Sequence, residues 1–149
     1  MLTIHEMYTQ LNGNVGHGQE MRKHVSGQVG HQGDIYVLPI KRRPACWNIE
    51  TSAESRQVAV GQGEGSNHCA IGPALIYWPT SKQDAADNCP IDNLFSNNPT
   101  ARLNCLGPIV DARGTWKLPH PKHAHHEFPA GLYLIVYQFD WKTQRRVVD

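Results

Sequence analysis

The sequence predicts a mainly β fold, in which a small single-domain β-barrel or β-sandwich follows an N-terminal arm. Three observations support this class. The 149 residues include 13 glycines and 10 prolines, both of which interrupt helices. Charged residues make up 18% of the chain, which is fewer than a solvated helical protein carries. Several short runs of β-branched and aromatic residues are bounded by turn residues, as strands usually are.

The chain begins with a polar, glycine-rich stretch, which we predict to be a flexible arm over residues 1–30. A single β domain is expected over residues 31–149, because this length suits one domain. Its first strand is predicted over residues 34–40, a β-branched and aromatic run that follows Gly33. The basic residues 41–43 are interpreted as the solvated exit of that strand.

Two further strands are predicted on either side of a glycine-rich turn. In residues 56–60, Val58 and Val60 lie two positions apart after two polar residues, and residues 69–78 are apolar with a break at Gly72 and Pro73. The glycines of residues 61–68 allow backbone conformations with positive φ. The chain can therefore turn sharply between the two strands.

Residues 79–100 are rich in Asp and Asn, and we predict a long polar surface loop with room for one helical turn. The acidic residues do not have the spacing of an EF-hand, so calcium binding is not indicated. Strands are expected to resume at residues 101–106, 109–111 and 115–118.

The clearest strand is predicted over residues 131–141. Alternation places Leu134 and Val136 on one face of this strand and Ile135 and Tyr137 on the other. Because both faces are apolar, the strand is expected at the centre of a sheet or in a barrel wall.

The net charge and the length of the apolar runs restrict the partners that the chain can have. The formal net charge is +1 with His neutral, so no strong basic field exists to hold a phosphate backbone, and nucleic-acid binding is disfavoured. No apolar run approaches the ~18 residues of a membrane span, which predicts no membrane partner. The start of the chain lacks a signal-peptide pattern, so we expect a cytoplasmic location, or the virion for a phage structural protein. The four cysteines, none in a CxxC pair, are accordingly expected to be free thiols.

Histidines are the side chains best suited to metal binding or catalysis in this sequence. They lie near Glu64 and over residues 120–126. Neutral imidazole is a common ligand for zinc and other transition metals. Three histidines with a carboxylate form a common catalytic metal site that keeps one position open. We therefore predict that His68, His120 and His123 bind a divalent transition metal such as zinc. Glu64 would serve as a further metal ligand or as the general base.

Residues outside this set are predicted to support it or to lie apart from it. Asp34 and Gln138 are expected to orient the metal-binding groups through hydrogen bonds. His125 and His126 are expected on the solvated surface. Cys69 adjoins His68, but neighbours in a strand point to opposite faces, so Cys69 is interpreted as a small core residue rather than a nucleophile.

Four segments resemble the motifs of a set of small, uncharacterised bacterial and phage proteins. Those proteins carry the patterns QGD, GExxGH, HPEH and LPxGxYxVxxQREY in this order. The corresponding segments here span residues 32–141 and are Gln32-Gly33-Asp34, Gly63-Glu64 with His68, His120-Pro121-Lys122-His123, and Pro129-Ala130-Gly131 with Tyr133 and Gln138. The resemblance implies a shared core and candidate positions rather than an activity.

The sequence departs from that family pattern at several places. Ala70 stands where the family often has a second histidine, and Gln138-Phe139-Asp140-Trp141 replaces Gln-Arg-Glu-Tyr. The arm and the loop over residues 79–100 are additions. The histidine turn and the Pro-Gly turn before a strand also resemble those of cupin barrels, although neither cupin motif is complete.

Three functional hypotheses follow from the sequence. The first is a small β domain with a His-lined pocket, acting either as a metal-dependent hydrolase or as a ligand-binding protein that uses its histidines for an anion without any metal. The second is a phage-type structural or protein-interaction component without catalysis, with homo-oligomers as a possible form. The third is a nucleotide or second-messenger binder, in which Lys41, Arg42 and Arg43 would meet phosphates. Enzymatic and non-enzymatic functions both stay open.

Overall fold

The computed structural model describes residues 21–62 and 67–147, and their secondary structure confirms the mainly β class. Strands account for 48% of the described residues and helices for 10%. The strands are β1 (Met21–Lys23), β2 (Gly30–Gln32), β3 (Ile35–Pro39), β4 (Trp47–Ser52), β5 (Val58–Gln62), β6 (Asn67–Ala70), β7 (Ala74–Pro79), β8 (Leu106–Ala112), β9 (Trp116–Leu118), β10 (His125–Phe128), β11 (Gly131–Tyr137), β12 (Phe139–Asp140) and β13 (Arg145–Arg146). The helices are α1 (Lys82–Asp87) and α2 (Pro99–Asn104).

The largest sheet has six strands in the order β2-β3-β11-β8-β7-β4, and every neighbouring pair is antiparallel. Its two edge strands, β2 and β4, do not pair with each other, so the described strands do not close a barrel. Three smaller sheets accompany it: β1-β10-β9, β5-β6 and β12-β13. Of the two architectures predicted, the arrangement therefore fits a sandwich.

Strand β11 is central, as its two apolar faces predict. It pairs with β3 on one side and with β8 on the other. Ile135 and Tyr137 belong to one hydrophobic core, whereas Leu134 and Val136 belong to another. Because successive side chains of a strand point to opposite faces, the six-stranded sheet separates two apolar layers.

The two layers are covered by different elements. On one face, Trp116 and Phe128, from β9 and β10, are fully buried against the sheet. On the other face, Trp47 packs with Ala85 of α1 and with Leu94. The buried indole of Trp47 also donates a hydrogen bond to the carbonyl of Gly107 at 3.0 Å.

The segment after β7 contains more helix than predicted. Within the loop predicted over residues 79–100, Ser81 accepts a hydrogen bond from the backbone N–H of Asp84 and caps α1. The strand predicted over residues 101–106 is wrong, because α2 covers most of that segment. The side chain of Asn98 caps α2 and a proline occupies its first turn, a combination that favours a helix start.

Part of the predicted arm over residues 1–30 belongs to the folded structure. Residues 1–20 lie outside the described residues. Strand β1 pairs in parallel with β10, and Val29 is buried. Tertiary contacts rather than local propensity therefore order residues 21–30.

Two sequence predictions about the whole chain can be compared with the described residues. No helix in the described ranges is long and apolar enough to cross a membrane. The four cysteines all lie within those ranges, and none of them forms a disulfide.

Candidate functional site

Two separate parts of the chain bring the three predicted histidines together. His68 lies on β6, in the β5-β6 hairpin, and Ile71 just beyond it forms a bridge with Lys117 of β9. This bridge places the hairpin beside the turn that connects β9 to β10. His120 and His123 lie in that turn.

The rings of these three histidines are neighbours. The ring centroid of His68 lies 4.6 Å from that of His120 and 6.1 Å from that of His123. The centroids of His120 and His123 are 4.6 Å apart. The structure therefore brings together the three residues that the sequence selected, although more than fifty positions separate His68 from the other two.

His68 is buried, and both of its ring nitrogens have hydrogen-bond partners. Its Nε2 lies 2.7 Å from Oδ1 of Asp34, and its Nδ1 lies 2.9 Å from Oε1 of Gln32. Asp34 and Gln32 are also buried, with 1% of each side chain exposed. A buried carboxylate needs such a partner, because an unpaired charge in the interior is costly.

The turn between β2 and β3 holds Gln32 and Asp34 on either side of Gly33. Gly33 has a φ of +57°, in the left-handed region, and a Cβ there would lie 2.7 Å from Nε2 of His123 and 3.1 Å from Cε1 of His68. Glycine is therefore required twice, for its backbone conformation and for the close approach of the two imidazoles.

His120 is held by its own turn. Its Nδ1 accepts hydrogen bonds from the backbone N–H groups of Lys122, at 3.0 Å, and His123, at 3.2 Å. A neutral imidazole carries one hydrogen, so an Nδ1 that accepts leaves the hydrogen on Nε2. His120 is thus an N–H donor through its other nitrogen.

A shallow groove of about 260 Å³ adjoins the cluster. Imidazole, amide and thiol groups line it beside two prolines, and none of the described lining residues is acidic. They are Gln57, Asn67, Cys69, Pro119, His120, Pro121 and His125. His120 therefore connects the groove to the buried pair of His68 and Asp34.

Cys69 is half-buried in the groove rather than part of the core. Burial raises the pKa of its thiol, so the thiolate that a nucleophile requires is disfavoured. The structure does not support a nucleophilic pair of Cys69 with a neighbouring histidine.

A second histidine pair, which the sequence did not indicate, lies on the β1-β10 side. Nε2 of His24 lies 2.6 Å from Nδ1 of His126, and their rings stack with centroids 4.9 Å apart. The surface location predicted for His126 is wrong, because only 1% of it is exposed. His125, its neighbour, is half-buried and lines the groove.

The remaining predicted site residues lie elsewhere. Glu64 is outside the described residues. The side chain of Gln138 is exposed, but its backbone N–H donates to the carbonyl of Asp34 at 2.9 Å. Asp34 shares a hydrogen bond with His68, one of the predicted metal ligands. Gln32 belongs to the QGD segment but was not selected as a site residue. Its position two residues before Asp34 was the sequence feature that could have identified it.

The described side chains offer no support for the predicted metal ion. Among the residues the structure describes, no group of three or more His, Cys, Asp or Glu side chains is arranged to hold a metal. Both nitrogens of His68 and the Nδ1 of His120 are already in hydrogen bonds. These side chains do not fit a zinc-type centre in this arrangement, and metal binding stays a prediction from the sequence.

Comparisons of the chain with protein-family models, with curated proteins and with solved structures found no match. The resemblance to small bacterial and phage proteins therefore stays a prediction.

Proposed function

We propose that the groove beside His120 binds a small anionic ligand that carries a phosphate or carboxylate group. The observation that carries this proposal is the hydrogen bonding of His120. Its Nδ1 accepts two backbone N–H groups, so its hydrogen is carried by Nε2, and the residue lines the groove. Anions bind where N–H donors converge without a competing carboxylate.

The other groove residues supply the same kind of group. His125 adds a second imidazole, and Asn67 and Gln57 each add an amide with two N–H donors. The nearby carboxylate, Asp34, is buried and bonded to His68. Among the described residues, the groove therefore presents donors to a ligand, and the Asp34 carboxyl group lies buried behind it.

An NMR titration of nitrogen-15-labelled protein with inorganic phosphate, at constant ionic strength, tests the proposal. We expect saturable shift changes at groove residues such as Asn67, Cys69 and His125. A parallel titration with acetate separates the two anion classes, because a carboxylate site would respond to acetate at least as strongly. Either pattern supports an anion site, whereas no saturable change with either anion contradicts it.

His120→Asn is the informative variant. An asparagine oxygen can still accept the turn's backbone N–H groups, but the imidazole Nε2–H is lost. We expect the affinity for the anion to fall at least about tenfold, which corresponds to about 1.4 kcal/mol. Lys142→Gln is the matched control, because it removes an exposed positive charge that does not line the groove. Equal affinity losses in both variants would indicate a non-specific charge effect and would overturn the proposal.

The enzymatic, protein-interaction and nucleotide hypotheses stay predictions. A nucleotide would be one phosphate-bearing ligand among several. Arg43, one of its predicted phosphate contacts, stacks over the ring of Tyr77 with its guanidinium carbon 3.9 Å from the ring centre.

A further inference from the structure

We propose that Gln32 is a positioning residue that fixes which nitrogen of His68 carries hydrogen. Together with Asp34, which engages the other nitrogen, it withholds both ring nitrogens of His68 from metal coordination and makes the cluster selective for anions. The first part of this inference stands on the hydrogen bonds of Gln32 alone. The selectivity rests on the proposed anion-binding function.

The orientation of the Gln32 amide is set by two backbone carbonyls. Its Nε2 lies 2.8 Å from the oxygen of Leu118 and 2.8 Å from the oxygen of Ala124. Carbonyl oxygens only accept hydrogen bonds, so the amide group that faces them must be the NH₂ group, with both hydrogens used. The amide oxygen Oε1 is consequently the atom that faces His68.

This orientation determines the state of the His68 ring. Because Oε1 of Gln32 can only accept, Nδ1 of His68 must donate, and it therefore carries a hydrogen. The contact of 2.7 Å between Nε2 of His68 and Oδ1 of Asp34 holds a second hydrogen, whether the imidazole or the carboxyl group carries it. The Nε2 electrons are engaged in both cases.

A metal ion requires a ring nitrogen with an available lone pair. Neither nitrogen of His68 has one while the Gln32 amide keeps its orientation. The same amide also joins the two ends of the turn, because Leu118 ends β9 and Ala124 precedes β10. One buried side chain thus holds the turn that carries His120 and sets the hydrogen-bonding character of His68.

The inference can be tested on the wild-type protein by NMR of its histidine ring nitrogens, whose nitrogen-15 shifts separate N–H from lone-pair nitrogens. We expect Nδ1 of His68 to carry a hydrogen and its ring signals to stay unchanged when Zn²⁺ is added. A lone pair on Nδ1, or a Zn²⁺-dependent change in the His68 nitrogens, would overturn the inference.

Gln32→Met removes the amide but keeps a side chain of similar length. We expect Nδ1 of His68 to become a lone-pair nitrogen, which leaves a hydrogen between Nε2 and Asp34. Gln83→Met, on the exposed surface of α1, is the matched control and should leave the His68 signals unchanged. An unchanged His68 ring in a folded Gln32→Met protein contradicts the assigned role. If that variant does not fold, the wild-type spectra still show whether Nδ1 of His68 carries a hydrogen.

Failure of this inference and failure of the proposed function have different signatures. A wild-type protein that shows the Nδ1 hydrogen but binds neither phosphate nor acetate supports the positioning role and refutes the anion site. A protein that binds phosphate but has no hydrogen on Nδ1 of His68 supports the anion site and refutes the positioning role.

Discussion

Nε2 of His24 lies 2.6 Å from Nδ1 of His126, and this contact ties the residue that follows β1 to β10. The ring of His24 also stacks on Phe128, with centroids 4.4 Å apart. No residue in the described ranges gives Nε2 of His126 a hydrogen-bond partner. The pair therefore joins two parts of the chain through a half-buried imidazole and a buried one.

The folded protein should lose stability as the pH falls below 6.5, the ordinary histidine pKa. Burial, with Arg22 nearby, lowers the pKa of His24 to about 4, and burial with the charges of His24, His31, Arg22 and His125 lowers the pKa of His126 to about 3. The unfolded chain therefore takes up protons first, and the loss continues until the pH reaches the folded pKa values. Each pKa unit corresponds to about 1.4 kcal/mol, so we expect a loss on the order of a few kcal/mol by about pH 4.

Urea unfolding at several pH values between about 4 and 7 measures this loss. In the double variant His24→Phe with His126→Leu, the unfolding free energy should depend less steeply on pH. An equal dependence in the double variant would assign the acid sensitivity to other groups.

Asp34→Asn should cost about 1–3 kcal/mol of unfolding free energy, because it replaces the buried carboxyl group that shares a hydrogen with Nε2 of His68. Glu54→Gln makes the same chemical change in the pair with Arg113, whose side chains are 56% and 65% exposed. We expect that control to change stability by less than about 1 kcal/mol. Urea unfolding of both variants gives the comparison, and similar losses would contradict a special role for the buried pair.

Gly72→Ala should destabilise the protein more than Gly27→Ala does. Both glycines have positive φ, at +139° and +87°. A Cβ at Gly72 would lie 2.8 Å from the backbone Cα of Trp116, whereas a Cβ at Gly27 would meet nothing within 4 Å. We expect the difference between the two losses to be about 1–3 kcal/mol, the usual cost of overpacking. Thermal unfolding of the two variants measures it, and equal losses would mean that backbone conformation alone explains the requirement.

Tyr137→Phe should cost about 1–3 kcal/mol, because it removes a buried hydrogen bond to the carbonyl of Val60. The Tyr137 hydroxyl donates to the carbonyl of Val60 at 2.7 Å, and burial raises its pKa to about 12. Tyr77→Phe is the control, since that hydroxyl donates to the exposed side chain of Glu50. Denaturant unfolding should show a clear loss for Tyr137→Phe and a small one for Tyr77→Phe. The opposite order would contradict the assignment of the buried bond.

Strands β3 and β11 could be predicted because their signal is local. In both, alternate residues enter two different apolar cores, and the sequence shows this as an unbroken apolar run. Strands β1 and β10 have no such signal. They are short and polar, and they form because pairing with each other and burial of Phe128 stabilise them. Asn98 and Pro99 were a local signal for the start of α2. The strand prediction for residues 101–106 did not take this signal into account.

The amino-acid sequence alone determined the mainly β class, the central position of β11 and the selection of His68, His120 and His123. These follow from residue type and from spacing along the chain. Only the tertiary structure decided that His68 is enclosed by Gln32 and Asp34 and that His126 is buried against His24. Hydrogen bonds between side chains 34 to 102 positions apart depend on how the strands pair. No local pattern in the sequence encodes that pairing, and it sets which imidazole nitrogens donate and which accept.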